Sequence, residues 1–285
     1  MKTKTGKKLL SLLMAAIIIL TLLPVSALAS AFSDTDTHWA SSAIDRWSSL
    51  GIIRGFNSEF RPNDPITRGE MAVIIDRLMD YQTASINTFS DLGQAFYTDA
   101  VLKLNEAGVM LGYGGLVRPT DNITRQDAAV MLGRALGIKE SSAALSFTDA
   151  AFVSSYAKGY VAALAAKGYI NGYNGAFNPK NDITRAGVVT ILDNAISGFL
   201  SEAEEYTGAY SGVVIVNKPG AILKDVVING DLIIAEGAAN GDITLNNVKV
   251  TGNTFIRGGG ENSIHIIGGS YANLIIEKTD SGKIR

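Results

Sequence analysis

The tripeptide Ile-Thr-Arg occurs at 66–68, 123–125 and 183–185, and in each case its three residues carry complementary chemistry. A threonine followed three residues later by an acid, as in Thr67 and Glu70, forms a capping box. The hydroxyl accepts a backbone N–H of the first helical turn and the carboxylate reaches back to the cap. Capping accounts for Thr67, Thr124 and Thr184, for Glu70 and for Asp127, while Gly187 leaves the third box incomplete. It does not account for Arg68, Arg125 and Arg185. A cation in the first turn opposes the helix dipole by about 0.3–1 kcal/mol, so another interaction must retain it. A guanidinium fork beside helix N-terminal N–H groups is a receptor for a carboxylate or a phosphate. The competing reading is an internal ion pair with Asp34, Asp91 or Asp149, and spacing does not choose between the two. Trp39 offers an aromatic face on which a sugar ring can stack, although Ile44, Trp47 and Leu50 at helical spacing make core packing the commoner fate.

The elements around these residues recur with them. The signature starts 57 and then 60 residues apart, which marks a tandem array of one module. Each copy opens on Phe32-Ser33-Asp34, Phe89-Ser90-Asp91 or Phe147-Thr148-Asp149, followed by an aromatic at Trp39, Phe96 or Tyr156. A glycine turn comes next, from Gly51 to Phe56, Gly108 to Tyr113 and Gly168 to Tyr173. Pro62, Pro119 or Pro179 then leads into the signature. Each copy therefore reads as helix, Gly/Pro loop, helix.

The array is flanked by two segments of different character. Lys2, Lys4, Lys7 and Lys8, the apolar run Leu9 to Leu23 and the small-residue site Ala27-Leu28-Ala29 read as a signal peptide over 1–29. The run is shorter than the roughly 20 residues that span a bilayer, and Pro24 interrupts it. The mature chain is then expected to be exported, with no membrane contact after cleavage. Cleavage takes the formal charge from −2 to −6, and no basic run remains, which argues against nucleic acid as a partner. With no cysteine there is no disulfide, thiolate metal site or lipidated N-terminal cysteine, so surface retention has to be non-covalent. No cofactor and no metal site is indicated.

After the array, Leu232-Ile233-Ile234, Thr254-Phe255-Ile256 and Leu274-Ile275-Ile276 recur at 22 and 20 residues, as Ile222, Ile243 and Ile264 do at 21. A period near 20 without helical patterning predicts a parallel β-solenoid, with a β-sandwich as the alternative. Three visible coils at about 4.8 Å each span roughly 15 Å. No cap follows the last, so either further coils or a partner must cover the edge.

Phe32-Ser33-Asp34, His38-Trp39-Ala40, Gly51-Ile52-Ile53, Gly55-Phe56, Phe60-Arg61-Pro62 and Ile66-Thr67-Arg68-Gly69-Glu70 together resemble the S-layer homology (SLH) domain family, over Phe32 to about Gly198. The resemblance implies an all-α pseudo-threefold bundle of helix-loop-helix repeats with one central helix from each. It also implies grooves that bind secondary cell wall polysaccharide, commonly bearing a pyruvate ketal. Carried over residue by residue, it implies ligand contacts at Arg68, Arg125, Arg185, Asp34, Asp91, Asp149 and Trp39. The domain boundaries are then 30–84, 85–143 and 144–200 for the repeats, 201–211 for a linker and 212–285 for an all-β, right-handed solenoid. Phe96 and Tyr156 depart from the family's usual tryptophan, Gly187 from its acid, and an insertion surrounds Phe152 to Ser155. On these grounds the first and second copies keep the pattern best and the third serves mainly to close the bundle.

The expected function is non-catalytic attachment to the cell wall or S-layer, with secondary cell wall polysaccharide and other surface proteins as partners. The alternative is a wall-anchored polysaccharide lyase or hydrolase. Its acids would have to come from Asp225, Asp231, Glu236, Asp242 and Glu261, with no nucleophile-base pair or metal-ligand spacing in view, and His265 reads as a packed or solvent-facing residue. A protein-binding helical repeat fits less well, because of the Gly/Pro-rich loop between helices.

Overall fold

The structure, a computed structural model, describes residues 31–277. The signal-peptide segment and Lys283-Ile284-Arg285 lie outside the described residues. Among the described residues six α-helices come first: α1 (Ser41–Ser49), α2 (Arg68–Met79), α3 (Thr98–Glu106), α4 (Arg125–Ala135), α5 (Ser155–Ala166) and α6 (Arg185–Ala195). Nine strands follow: β1 (Ile196–Leu200), β2 (Glu205–Ser211), β3 (Val213–Val216), β4 (Ile222–Asn229), β5 (Leu232–Ile234), β6 (Ile243–Asn246), β7 (Lys249–Ile256), β8 (Ile264–Ile267) and β9 (Ser270–Ile276).

The signature starts a helix in every copy. Thr67, Thr124 and Thr184 are extended N-caps whose hydroxyls accept the N–H of Glu70, Asp127 and Gly187. The box is complete at Thr67, where Glu70 Oε2 also accepts the Thr67 N–H at 2.8 Å. The helices so started, α2, α4 and α6, form the centre of the bundle, with Met71, Ala72, Ile75, Ala128, Ala129, Val188 and Val189 fully buried.

What holds the three copies together is a closed cycle of peptide hydrogen bonds. Ile66 N–H donates to Ile183 O (3.2 Å), Ile183 N–H to Ile123 O (3.0 Å) and Ile123 N–H to Ile66 O (2.9 Å). The three isoleucine side chains are each 1% exposed beside it. Outside this ring each central helix docks its first N–H groups on the loop of another copy. Arg68 N–H meets Asp121 O (2.9 Å) and Gly69 N–H meets Pro119 O (2.8 Å). Arg125 and Gln126 do the same to Asn181 O and Pro179 O, and Arg185 and Ala186 to Asp64 O and Pro62 O. The first copy rests on the second, the second on the third and the third on the first.

The strands build a parallel solenoid of about four turns with three faces. One face stacks β1, β3, β5, the end of β7 and the end of β9, in the register Val214, Leu232, Thr254, Leu274. The recurring Leu-Ile-Ile triplets are its rungs. A second face stacks the starts of β2 and β4 with β6 and β8, and a third uses the other ends of β2, β4, β7 and β9. On the first face both sides are buried. Val214, Val216, Leu232, Ile234 and Ile256 point into the solenoid, while Val213, Ile215, Ile233 and Phe255 join the core of the helical bundle. Two-sided burial explains why Val213–Val216 and Leu232–Ile234 are continuous apolar runs rather than alternating ones.

The junction differs from the linker expected over 201–211. Helix α6 passes into β1 at Ile196 with no residue between them, and Glu205–Ser211 is a strand. Ile196–Leu200, expected to end the third repeat, is the first rung, because its partners Val213–Val216 need a parallel neighbour. Among the described residues the last rung leaves Ile266, Leu274 and Ile276 exposed, in register with residues of the layer beneath.

Truncating Ile123 to alanine within the axial ring should lower stability by about 2–5 kcal/mol, whereas the same change at exposed Ile86 should stay within about 0.5 kcal/mol. Urea denaturation with unchanged m-values checks both.

Candidate functional site

Three grooves are related by the pseudo-threefold, and each takes residues from all three copies. One holds Arg68 of the first copy, Leu111, Tyr113 and Asp127 of the second, and Tyr156 of the third. The next holds Arg125 of the second copy, Asn171, Tyr173 and Gly187 of the third, and Trp39 of the first. The last holds Arg185 of the third copy, Arg54, Phe60 and Glu70 of the first, and Phe96 of the second.

The arginines sit in the grooves in one common way. Arg68 Nε donates to Val117 O (3.0 Å) and Nη2 to Leu111 O (3.5 Å). Arg125 does so to Phe177 O (2.8 Å) and Asn171 O (3.3 Å), and Arg185 to Phe60 O and Arg54 O, both at 2.8 Å. Two of the five N–H groups of each guanidinium thus grip the glycine-turn copy across the interface. Arg125 and Arg185 also lie over the Phe177 and Phe60 rings, at 5.2 and 4.6 Å from the centroids. Burial pulls all three guanidinium pKa values below the ordinary arginine value, opposed by nearby carboxylates. All remain cations at neutral pH.

Neither sequence reading of these arginines survives in full. The helix N-terminal N–H groups expected to help bind an anion are taken by loop carbonyls and threonine hydroxyls. Asp34, Asp91 and Asp149 are not bonded to the arginines. Both carboxylate oxygens of each accept backbone N–H groups: Phe60 and Arg61 for Asp34, Val117 and Arg118 for Asp91, Phe177 and Asn178 for Asp149, all at 2.7–2.9 Å. They hold Arg61, Arg118 and Asn178 in the left-handed backbone region, with φ between 52° and 59°. They do not line the groove walls. What remains for a ligand is the outer end of each guanidinium, Nη1 with its neighbouring Nη2 N–H.

The residue two positions after the arginine decides whether that end is free. In the Arg185 groove Glu70 Oε1 lies 3.6 Å from Arg185 Nη1, and the cavity is only about 120 Å³. Arg54 and Arg77 share its wall, and Arg77 Nη1 is held by Ile52 O at 3.0 Å. In the Arg68 groove, of about 590 Å³, Asp127 is held by Thr124 Oγ1 (2.8 Å) and Tyr156 Oη (2.6 Å). Burial, then the bond to Asp127, pushes the Tyr156 phenol up to about 12, so it stays protonated. In the Arg125 groove, of about 610 Å³, Gly187 supplies no carboxylate. The groove framed by the third copy is therefore the least obstructed, the reverse of the ranking expected from sequence.

The aromatics complete the walls. Trp39 is 69% exposed and lines the Arg125 groove, while Trp47 is the tryptophan that packs in the core. Phe96 and Tyr156 occupy the matching places in the other two grooves. Tyr113 and Tyr173 stand exposed on the glycine turns. Sequence reasoning missed the loop carbonyls that fix the arginines, because main-chain acceptors leave no residue-type signal. Four of the five acids proposed for catalysis in the solenoid have separate partners: Asp225 with Asn247, Asp242 with His265, Asp231 with Lys167 and Glu236 with the Gln82 N–H.

The S-layer homology domain family model matches residues 31–72, 88–129 and 146–186, one match per helical repeat. The chain is similar to an amylopullulanase of Thermoanaerobacterium thermosulfurigenes, 31% identical over 170 residues, which is 56% of this chain and 9% of that protein. It is similar to the exoglucanase XynX of Acetivibrio thermocellus, 32% identical over 170 residues, 56% of this chain and 16% of that protein. It is also similar to the surface-layer 125 kDa protein of Lysinibacillus sphaericus, 28% identical over 191 residues, 64% of this chain and 16% of that protein. The chain spans less than one fifth of the length of each of these relatives. The chain carries three S-layer homology domains, arranged as one closed bundle, and is a cell-surface protein anchored through them. Among the described residues no helix is long and apolar enough to cross a membrane.

The carboxylates of Asp34, Asp91 and Asp149 carry a pH signature. Burial is the largest single effect and raises their pKa, but the backbone N–H donors together outweigh it and hold each below its ordinary value. A lowered folded-state pKa gives stability that is complete above the unfolded value near 3.9 and lost as pH falls through the folded value. The triple variant Asp34→Asn, Asp91→Asn, Asp149→Asn should therefore melt lower at neutral pH and lose less stability than the parent between about pH 5 and pH 2. Thermal melts across that range check it.

Proposed function

We propose that the chain is a non-catalytic anchor that binds secondary cell wall polysaccharide carrying a pyruvate ketal and presents the solenoid at the wall. The observation that carries this reading is the Arg125 groove. There Gly187 sets no carboxylate against the guanidinium end, which lies in a cavity walled by Trp39, Tyr173 and Asp182, with Asp149 in its field. The ketal carboxylate would lie on Arg125 Nη1 and Nη2, and the sugar ring against Trp39. The Arg68 groove offers a second, weaker place, because Asp127 lies in the field of its arginine. The Arg185 groove is filled by its own ion pair. Other surface proteins are partners of the presented solenoid rather than of the grooves.

The experiment is isothermal titration of the full chain with purified wall polysaccharide before and after removal of pyruvate. Arg125→Ala should weaken binding by about 1.5–3 kcal/mol, the range for a charge-assisted hydrogen bond. Because Arg125 also grips Phe177 O and Asn171 O, Gly187→Glu is the cleaner variant. Glu70 and Asp127 occupy the equivalent places beside Ile66 and Ile123, and a Cβ at Gly187 would meet Ile183 Cγ1 at 2.9 Å, so the Ile183 side chain has to shift to admit it. It would complete the third capping box while setting a carboxylate against Arg125, as Glu70 is set against Arg185. The expected result is a chain that still melts cooperatively, the added cap offsetting the shift of Ile183, together with at least tenfold weaker binding. Parent-like binding by Gly187→Glu would remove the Arg125 groove as the site, and binding that ignores pyruvate removal would remove the carboxylate as the ligand group.

A second reading comes from the relatives, two of which are named as enzymes. It makes the chain the anchoring part of a carbohydrate-active enzyme. Release of reducing or unsaturated ends from a glycan panel by the purified chain would favour it over the non-catalytic reading.

A further inference from the structure

The first face of the solenoid lies across the end of the bundle opposite the ring of isoleucines. The solenoid touches the C-terminal end of helix after helix. Helix α6 runs into β1, and Trp47 near the end of α1 meets Phe199 with ring centroids 6.2 Å apart. Arg46 of α1 donates to Ile196 O at 3.0 Å. Asn217, just after β3, reaches Arg77 O and Leu78 O at the end of α2, each at 3.4 Å. Arg257, just after β7, donates through Nη1 to Ala135 O, the last residue of α4, at 2.5 Å.

Four of the six buried polar or charged residues in the described part of the solenoid follow the same direction. Asn217, Asp231, Glu236 and Arg257 are 7%, 4%, 5% and 8% exposed, and each has a partner in the bundle. Asp231 Oδ2 faces Lys167 Nζ at 3.6 Å, at the end of α5, and Glu236 Oε2 accepts the Gln82 N–H at 2.9 Å. The last carbonyls of a helix have no partner within it and carry its negative end, so a buried cation or amide there satisfies acceptors that water cannot reach. A solenoid built to stand alone would not bury four polar side chains toward one face, since each would lose its bundle partner if the bundle moved away, Asp231 keeping the Asn253 N–H and Arg257 keeping Glu277. The outward column Ile215, Ile233, Phe255 is likewise part of the bundle core.

We infer that the solenoid is the floor of the SLH array rather than an attached cargo, and that Asn217 and Arg257 are positioning residues for Arg68 and Arg125. Asn217 fixes the far end of the helix whose first residue is Arg68, and Arg257 does the same for the helix that begins at Arg125. The structural part of this inference is independent of the ligand. Only its binding consequence rests on the anchor reading above.

The test is native-state hydrogen exchange of the full chain in increasing urea. Amides in the middle of α2 and α4 and in Val213–Val216 and Leu232–Ile234 should merge into one opening with a common denaturant dependence. Separate openings for helices and strands would overturn the inference. Arg257→Met keeps the packing volume and removes the cap, and it should speed exchange in α4 at least tenfold. Lys224→Met, on an outward face, should leave α4 unchanged. Faster exchange confined to the strands in Arg257→Met would also overturn the proposal, because it would make Arg257 a local solenoid contact. With pyruvylated polysaccharide as the probe, Arg257→Met should bind at least threefold more weakly although it touches no groove, and Arg257→Lys should recover part of the loss. Failure of the parent chain to bind that probe would sink the anchor reading while leaving the exchange result to decide the floor.

Discussion

Three peptide hydrogen bonds around the axis, from Ile66 to Ile183 to Ile123 and back, fix everything that matters for the site. They are few, but they close, so no repeat has an unpaired edge there and no repeat is first or last in space. Closure brings the starts of three central helices together, and with them three arginines. It also forces each arginine to lie over the glycine turn of another copy. A groove therefore needs the helix start of one repeat, the turn of a second and an aromatic of a third. One repeat by itself could fold a helix pair, but it could not assemble any of the grooves.

Once the backbone has made three grooves nearly alike, single side chains make them different. The arginine clamp, the aspartate under the turn and the exposed aromatic are present in every copy. The residue two positions after the arginine is not: Glu70 reaches a neighbouring guanidinium, Asp127 is shorter and is held by Tyr156, and Gly187 offers nothing. A change that reads in the sequence as a missing helix cap is, in space, a missing counter-charge for an arginine 62 residues earlier in the chain, at Arg125. A complete capping box and an open guanidinium compete for one position, and the third copy keeps its Thr184 cap but gives up the carboxylate.

Much of the fold was legible because it repeats. Three aligned copies separated Thr67 and its equivalents, explained by capping, from Arg68 and its equivalents, which needed another role. The 20-residue period predicted a parallel solenoid, and its rungs fall where Leu-Ile-Ile recurs. What stayed hidden depended on main-chain groups and on long-range contact. Carbonyl oxygens of Val117, Phe177 and Phe60 have no sequence signature, so the grip of the arginines on them was not foreseen. The aspartates looked like arginine partners because charge is visible in a sequence and backbone N–H groups are not. The stretch 201–211 looked like a linker because Glu202, Glu204 and Glu205 are polar, yet only 201–204 lies between strands, and Glu205 belongs to an edge strand whose exposed face tolerates it. The apolar runs of β3 and β5 carried a clue to two-sided burial, since a coil with one wet face would alternate.

The direct passage from helix α6 to strand β1 leaves no swivel between the helical bundle and the solenoid. A flexible tether would let an attached module sample a hemisphere of directions and average out the angle at which its anchor sits. Here the angle is set by the fold. If the grooves hold the bundle in one attitude to the wall, the solenoid axis is held in one attitude too, and neighbouring molecules on the same surface would point their coils in correlated directions without touching one another.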